Sequence, residues 1–165
     1  MKRASTLIAV SVILMAVAGL TAATSSAATI VRETITQSFT ETGLTDDCRP
    51  GITGDLTGTE VLDYQSVETA NGFHVEGTDG GPGRIDWSDG TYTLIDSVDR
   101  FAFNVVGKGQ TVVSNLTHVD SGNTYAADGT FLFRITFHEV QQFIVANGVL
   151  RVENERGHFH LYGNC

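Results

Sequence analysis

Proline is nearly absent from this chain, occurring only as Pro50 and Pro82, and cysteine occurs only as Cys48 and Cys165. With no CxxC spacing, the cysteines do not suggest a zinc ribbon or a redox motif. Basic residues are scarce, 10 Lys and Arg against 19 Asp and Glu, for a net charge of −9. A helical period is missing as well, since no stretch beyond residue 27 repeats its apolar residues at helical spacing. No shift in composition marks a linker or a second domain.

The one long apolar run is at the start. Lys2 and Arg3 lead into Leu7–Leu20, and small residues follow, ending in Ser25-Ser26-Ala27. A basic head, an apolar stretch of 14 residues and a small-residue cleavage site are the parts of a secretory signal peptide. The stretch is shorter than the roughly 20 residues a membrane-spanning helix needs. Cleavage is expected after Ala27, with Ala28 as the alternative. This divides the chain into a signal peptide, 1–27, and a single domain, 28–165. The first cysteine is far from this site, which argues against a lipid-anchored N-terminus. The expected location is secreted, extracellular.

Loss of Lys2 and Arg3 leaves 8 basic against 19 acidic residues, a charge of −11. Such a chain repels phosphate backbones and anionic lipid surfaces. Nucleic acid is therefore not an expected partner, and no membrane insertion is expected after cleavage. An acidic surface is also simply a soluble one. In an exported protein, two cysteines are expected to form one disulfide, Cys48 to Cys165. The bond would hold the C-terminal residue, and its long loop is worth up to about 4–5 kcal/mol in the chain-entropy model.

Glycine is abundant and acts as punctuation. Between glycines lie short runs rich in Val, Ile, Thr, Phe and Tyr that alternate with polar residues, the pattern of antiparallel strands with one wet and one dry face. Asn147-Gly148 suits a two-residue type I′ hairpin loop. It would place Ala146 opposite Val149, Val145 opposite Leu150 and Phe143 opposite Val152. Lys108-Gly109 would place Phe101 opposite Leu116, Phe103 opposite Ser114 and Val105 opposite Val112. A loop at Asn71-Gly72 puts Glu68 awkwardly opposite Val75, and a bulge would relieve that. Phe131, Phe133, Ile135 and Phe137 share one face, and their parity continues to Phe143 and Val145. This is one long strand with two polar residues midway, or two strands with a turn near Val140-Gln141. About eight to ten strands joined by tight turns favour an all-β fold, a single antiparallel, mainly up-and-down barrel, with a two-sheet sandwich as the alternative.

Three features carry a resemblance: the hairpin Asn71-Gly72-Phe73-His74-Val75, the run Phe137-His138-Glu139 followed by Phe143, and a late strand with a terminal cysteine. In these the chain resembles a loose group of small secreted bacterial all-β proteins of no established function. The resemblance implies an all-β fold and brings no catalytic residue with it. In outline the barrel also looks like a lipocalin-type binder, an analogy of architecture only.

Candidate chemistry is sparse. His138-Glu139-Val140-Gln141-Gln142 lacks the second histidine of the H-E-x-x-H zinc motif, which in any case works on a helix. His158 and His160 alternate on a strand. A turn at Arg156-Gly157 would set Glu155 opposite His158 and Glu153 opposite His160, a ligand set acceptable to zinc, copper or nickel. The competing reading is a solvated strand face with weak charge pairs. Asp99 and His118 pair across the Lys108-Gly109 hairpin, but no third partner is visible for a catalytic role. The sequon Asn115-Leu116-Thr117 lies within a strand, and Asp46-Asp47 and Asp79-Gly80-Gly81 read as turns rather than calcium loops. Trp87 lies beside the glycine-rich run 79–83, near Tyr92, where aromatics can form the mouth of a ligand site or, more commonly, pack in the core or as a lid over a barrel end.

Three classes of function follow. The first is non-catalytic binding of a small apolar or amphipathic ligand, with no cofactor beyond the divalent metal weighed above. The second is an extracellular interaction or structural domain. The third is an enzyme with a site in the barrel interior, for which Asp99, His118, Glu139 and Gln141 are the candidates.

Overall fold

The computed structural model describes residues 28–46, 48–107 and 110–163. It contains seven strands: β1 Thr29–Thr45, β2 Thr53–Thr69, β3 Gly72–Trp87, β4 Tyr92–Val106, β5 Thr111–Tyr125, β6 Phe131–Ala146 and β7 Val149–Gly163. They form a single sheet in the order β1-β2-β3-β4-β5-β6-β7, every neighbouring pair antiparallel. The protein is all-β and up-and-down, with no helix among the described residues. One sheet replaces the two of the sandwich alternative. No ladder joins β1 to β7 among the described residues, so the sheet keeps two edges.

The strands are fewer and longer than expected. Strand β6 runs unbroken through Val140-Gln141, β3 through the glycine-rich run 79–83, and β7 through Arg156-Gly157. Each is 15 or 16 residues long, about 50 Å at the usual rise. The local glycine and polar signals there are real, but extended pairing satisfies the backbone better than a turn would, with β5 and β7 at Val140-Gln141, with β4 at 79–83 and with β6 at Arg156-Gly157.

Hairpin registers follow the sequence in part. Phe101 faces Leu116, Phe103 faces Ser114 and Val105 faces Val112, as expected; the turn residues Lys108 and Gly109 lie outside the described residues. At Asn147-Gly148 both residues have positive φ, 52° and 73°, as a type I′ loop requires. Val145 faces Leu150, but a bulge then sets Ile144 opposite Val152 and Phe143 opposite Glu153. Val152 is thereby turned to the other face from Phe143. At the β2–β3 hairpin the loop is Ala70-Asn71, one residue earlier than expected. Glu68 then faces Phe73 and Ser66 faces Val75 with no bulge at this hairpin, a slide of two residues that leaves Glu68 on the face of Phe73 and Val75, near the end of the strand.

These registers assign every side chain to one of two faces. One face carries Leu56, Val75, Ile85, Ile95, Phe101, Phe103, Leu116, Phe133, Ile135 and Phe137, and is called here the apolar face. Its best-buried part lies at one end, where Phe133 is 3% and Thr124 2% exposed. The β1–β2 connection folds over that end. Its Arg49 guanidinium lies 5.5 Å from the centre of the Trp87 ring and 5.7 Å from that of Phe133. Arg49 also bonds Asp46, and reaches Asp89 at 2.7 Å and Thr91 at 2.6 Å. Beneath it, Trp87 Nε1 donates to Thr93 Oγ1 at 2.7 Å, and Thr93 bonds Thr124 at 2.8 Å. Trp87 is thus part of a cap over one end of the apolar face, the lid alternative of the sequence reading rather than the mouth of a site.

A candidate binding face crossed by an acidic belt

Midway along the strands the apolar face is interrupted. Strand pairing brings Gln37 beside Glu60, Asp79 beside Asp99, Asp99 beside His118, and His118 beside Glu139. Asp120 lies two residues beyond His118 on the same face. The result is a polar belt across six strands, with the capped apolar end on one side and Val75, Phe101, Phe103, Leu116 and Phe143 on the other. Within it Gln37 donates to Glu60 at 2.5 Å and Gln141 to Glu139 at 2.8 Å.

His118 is the cation of the belt. Its Nδ1 lies 2.5 Å from Asp99 and its Nε2 2.7 Å from Asp120. Hydrogen bonding to Asp120, then to Asp99, pushes its pKa up to about 10 against the opposing effect of burial. At neutral pH both ring nitrogens therefore carry protons, which leaves no lone pair for general-base work. The pairing of Asp99 with His118 was legible in the sequence. Asp120 was the missing third partner, and its spacing of two from His118 on a strand was the available signal.

Asp79 is the buried acid of the belt. It is 9% exposed, and its Oδ1 has no hydrogen-bond partner, the only such buried side-chain atom among the described residues. Burial raises its pKa to about 7, and the charge and hydrogen bond of Glu60 and the charge of Asp99 add to the shift, opposed by the Gly80 N–H. A void of about 20 Å³ lies against it, lined by Ile35, Gln37, Glu60, Leu62 and Asp79. The β2–β3 ladder lapses at this level, between residues 59–62 and 79–82. Gly80 and Gly81 hold the backbone there at φ 148° and 156°. A Cβ on Gly80 would fall on the Ser97 carbonyl, and one on Gly81 on the Thr59 carbonyl. The run read as a turn is a strand segment that only glycine permits.

The four residues proposed from sequence for an interior site, Asp99, His118, Glu139 and Gln141, all lie on this face. Gln37, Glu60, Asp79 and Asp120 were missed. The C-terminal set is not assembled. Because β7 continues through Arg156-Gly157, Glu153 and Glu155 sit on the same strand as His158 and His160 but on its opposite face. His158 faces His138 instead. No group of three or more His, Cys, Asp or Glu among the described residues is placed to hold a metal. Cys165, and with it the expected disulfide partner of Cys48, lies outside the described residues, as does the segment 1–27.

The opposite face is not uniformly polar. Val98 pairs with Val119, and Tyr92 stacks on Tyr125, whose ring meets Phe131 edge-on. Arg84 lies 4.2 Å above the Tyr92 ring.

Comparison of the chain with protein-family models, with curated proteins and with solved structures finds no match.

Proposed function

We propose that this is a secreted, non-catalytic binding protein whose apolar face takes a small amphipathic ligand. The observation that carries the reading is the acidic belt set between two apolar regions of one face. A ligand lying across it would meet apolar side chains on either side and charge at the centre, which suits an amphipathic molecule better than a purely apolar one. The protonated state of His118 speaks against a general base in the same place.

Two structural features belong to this reading. The first is closure of β1 toward β7 as a barrel around the ligand. In a seven-strand meander the two edges run in the same direction, so closure calls for a parallel contact. The second is the Cys48–Cys165 bond. Arg49, next to Cys48, lies over Phe133, and Phe133 pairs with Gly163, two residues before Cys165.

The test is binding of the neutral apolar dye Nile red to the purified protein. A saturable rise in fluorescence is expected, weakened by Phe103→Asp on the apolar face and unchanged by Val98→Asp on the other. No saturable rise, or equal sensitivity to both changes, would reject the reading. The second class, an interaction domain, is favoured by the exposed Val98, Val119 and Phe131 on the opposite face, and sensitivity to Val98→Asp alone would point there.

A further inference from the structure

We infer that Asp79, Glu60 and Gln37 form a head-group site for a primary ammonium, so that the amphipathic ligand of the apolar face is an amine. The inference rests on the binding reading above and names its ligand class.

Four observations meet at one place. Asp79 is nine-tenths buried, and its Oδ1 has no partner. A buried oxygen without a partner costs free energy even where the rest of the carboxyl bonds Glu60 and the Gly80 N–H, and a ligand that supplies a donor relieves that cost. The void against it, about 20 Å³, is the size of one water or one ammonium head. Three of its five lining side chains, Asp79, Glu60 and Gln37, carry oxygen acceptors, and the other two, Ile35 and Leu62, are apolar. The backbone is shaped to this spot by Gly80 and Gly81, where any side chain would strike a neighbouring carbonyl.

The composition of the lining selects the occupant. A calcium ion takes six to eight oxygens, more than this half-apolar wall offers. A primary ammonium carries three N–H donors and no acceptor, and its aliphatic stem can lie on apolar surface. Ile35 and Leu62 provide that surface beside the head site, and the apolar face extends on both sides of it. The groups facing Asp79 are Gln37 on β1, Glu60 on β2 and Asp99 on β4, with His118 on β5 behind Asp99. The proton that Asp79 holds near neutral pH must leave when the ammonium arrives. Binding therefore tightens as pH rises from 6 to 8, while the amine itself stays charged.

The experiment is calorimetric titration of the purified, oxidised protein with n-octylamine, 1-octanol and octyltrimethylammonium. The three share a chain and differ in the head. Octylamine is expected to bind at least about tenfold tighter than either of the others, since only it combines charge with N–H donors. Asp79→Asn and Glu60→Gln should each remove that preference and its pH dependence, and retention of the native circular dichroism spectrum shows that the variants are folded. Equal affinity for octylamine and octyltrimethylammonium would reduce the effect to general attraction by an acidic protein. Equal affinity for octylamine and octanol would mean that water fills the void. Either result overturns the inference and leaves the binding reading standing. No binding of any of the three overturns both.

Discussion

Asp79 and His118 show how a sheet face sets the charge of single residues. Asp79 is raised from 3.8 to about 7, chiefly by burial, and His118 from 6.5 to about 10, chiefly by Asp120. In both, the folded state holds its proton more tightly than the unfolded chain does. The stability that each lends is therefore complete below the unfolded value and is lost as pH rises through the folded one. The loss runs from about pH 4 to 7 for Asp79 and from about 6.5 to 10 for His118. Asp79→Asn should match the native protein near pH 4 and exceed its melting temperature at pH 8, as followed by circular dichroism. A native protein equally stable at both pH values would count against the shift. His118→Gln leaves Asp99 and Asp120 without their cation and should cost about 2–3 kcal/mol at pH 6. In urea titrations its deficit should shrink toward pH 10.

At the level of strands, two glycines of opposite meaning separate pairing from turn chemistry. A Cβ at Gly80 meets the Ser97 carbonyl in the middle of β3, whereas one at Gly157 makes ordinary contact with Phe137 at 3.6 Å in β7. Gly80→Ala should cost about 2–4 kcal/mol, because backbone on both strands must move. Gly157→Ala should be neutral, or stabilising by up to about 1 kcal/mol through the unfolded chain. Chemical denaturation of the two variants measures both. A clear loss at Gly157 would restore the turn that its Arg-Gly sequence suggested. The tight turns show the reverse case, in which local chemistry prevails. Asp89-Gly90-Thr91 and Asp128-Gly129-Thr130 repeat one arrangement, with Asp accepting from the Thr N–H at 3.0 and 2.9 Å. Both glycines have φ 85°.

For the molecule as a whole, the question is what holds an uncovered sheet together. Burial is concentrated at the end capped by Arg49, and large apolar side chains remain exposed on both edge strands. Arg49→Ala removes the ion pairs to Asp46 and Asp89 and uncovers Trp87 and Phe133. It should cost about 2–3 kcal/mol and raise the accessibility of Trp87 to an iodide or acrylamide quencher. A Cys48–Cys165 bond would lock the same end. Thiol labelling of the native protein should find no reactive cysteine, and replacing Cys165 should lower stability by up to about 4–5 kcal/mol with the strand content unchanged. Labelling of both cysteines without reductant would rule the bond out.

The sequence by itself determined the all-β class and much of the register and favoured an up-and-down arrangement, because alternation of period two and Asn-Gly turn chemistry act over a few residues, whereas the strand order came from the tertiary structure. The Phe101–Leu116 register and the single long strand through Phe133, Ile135, Phe137 and Phe143 were legible for that reason, but a bulge at Thr124/Tyr125 turns Phe131 to the other face from Phe133. Strand number was not. At 79–83 and at Arg156-Gly157 a local turn signal yields to a ladder with a neighbouring strand, an energy that no window of sequence contains. The one-residue shift of the loop to Ala70-Asn71 was not legible either, because it slides the register by two and leaves both faces of the hairpin unchanged. The belt shows the same division. Asp99 with His118 could be read from one hairpin, but Glu60 and Gln37 come from strands β2 and β1, and only their pairing places them beside Asp79. Burial there turns an ordinary aspartate into an acid that keeps its proton near neutrality, because desolvation depends on what the rest of the chain packs around it.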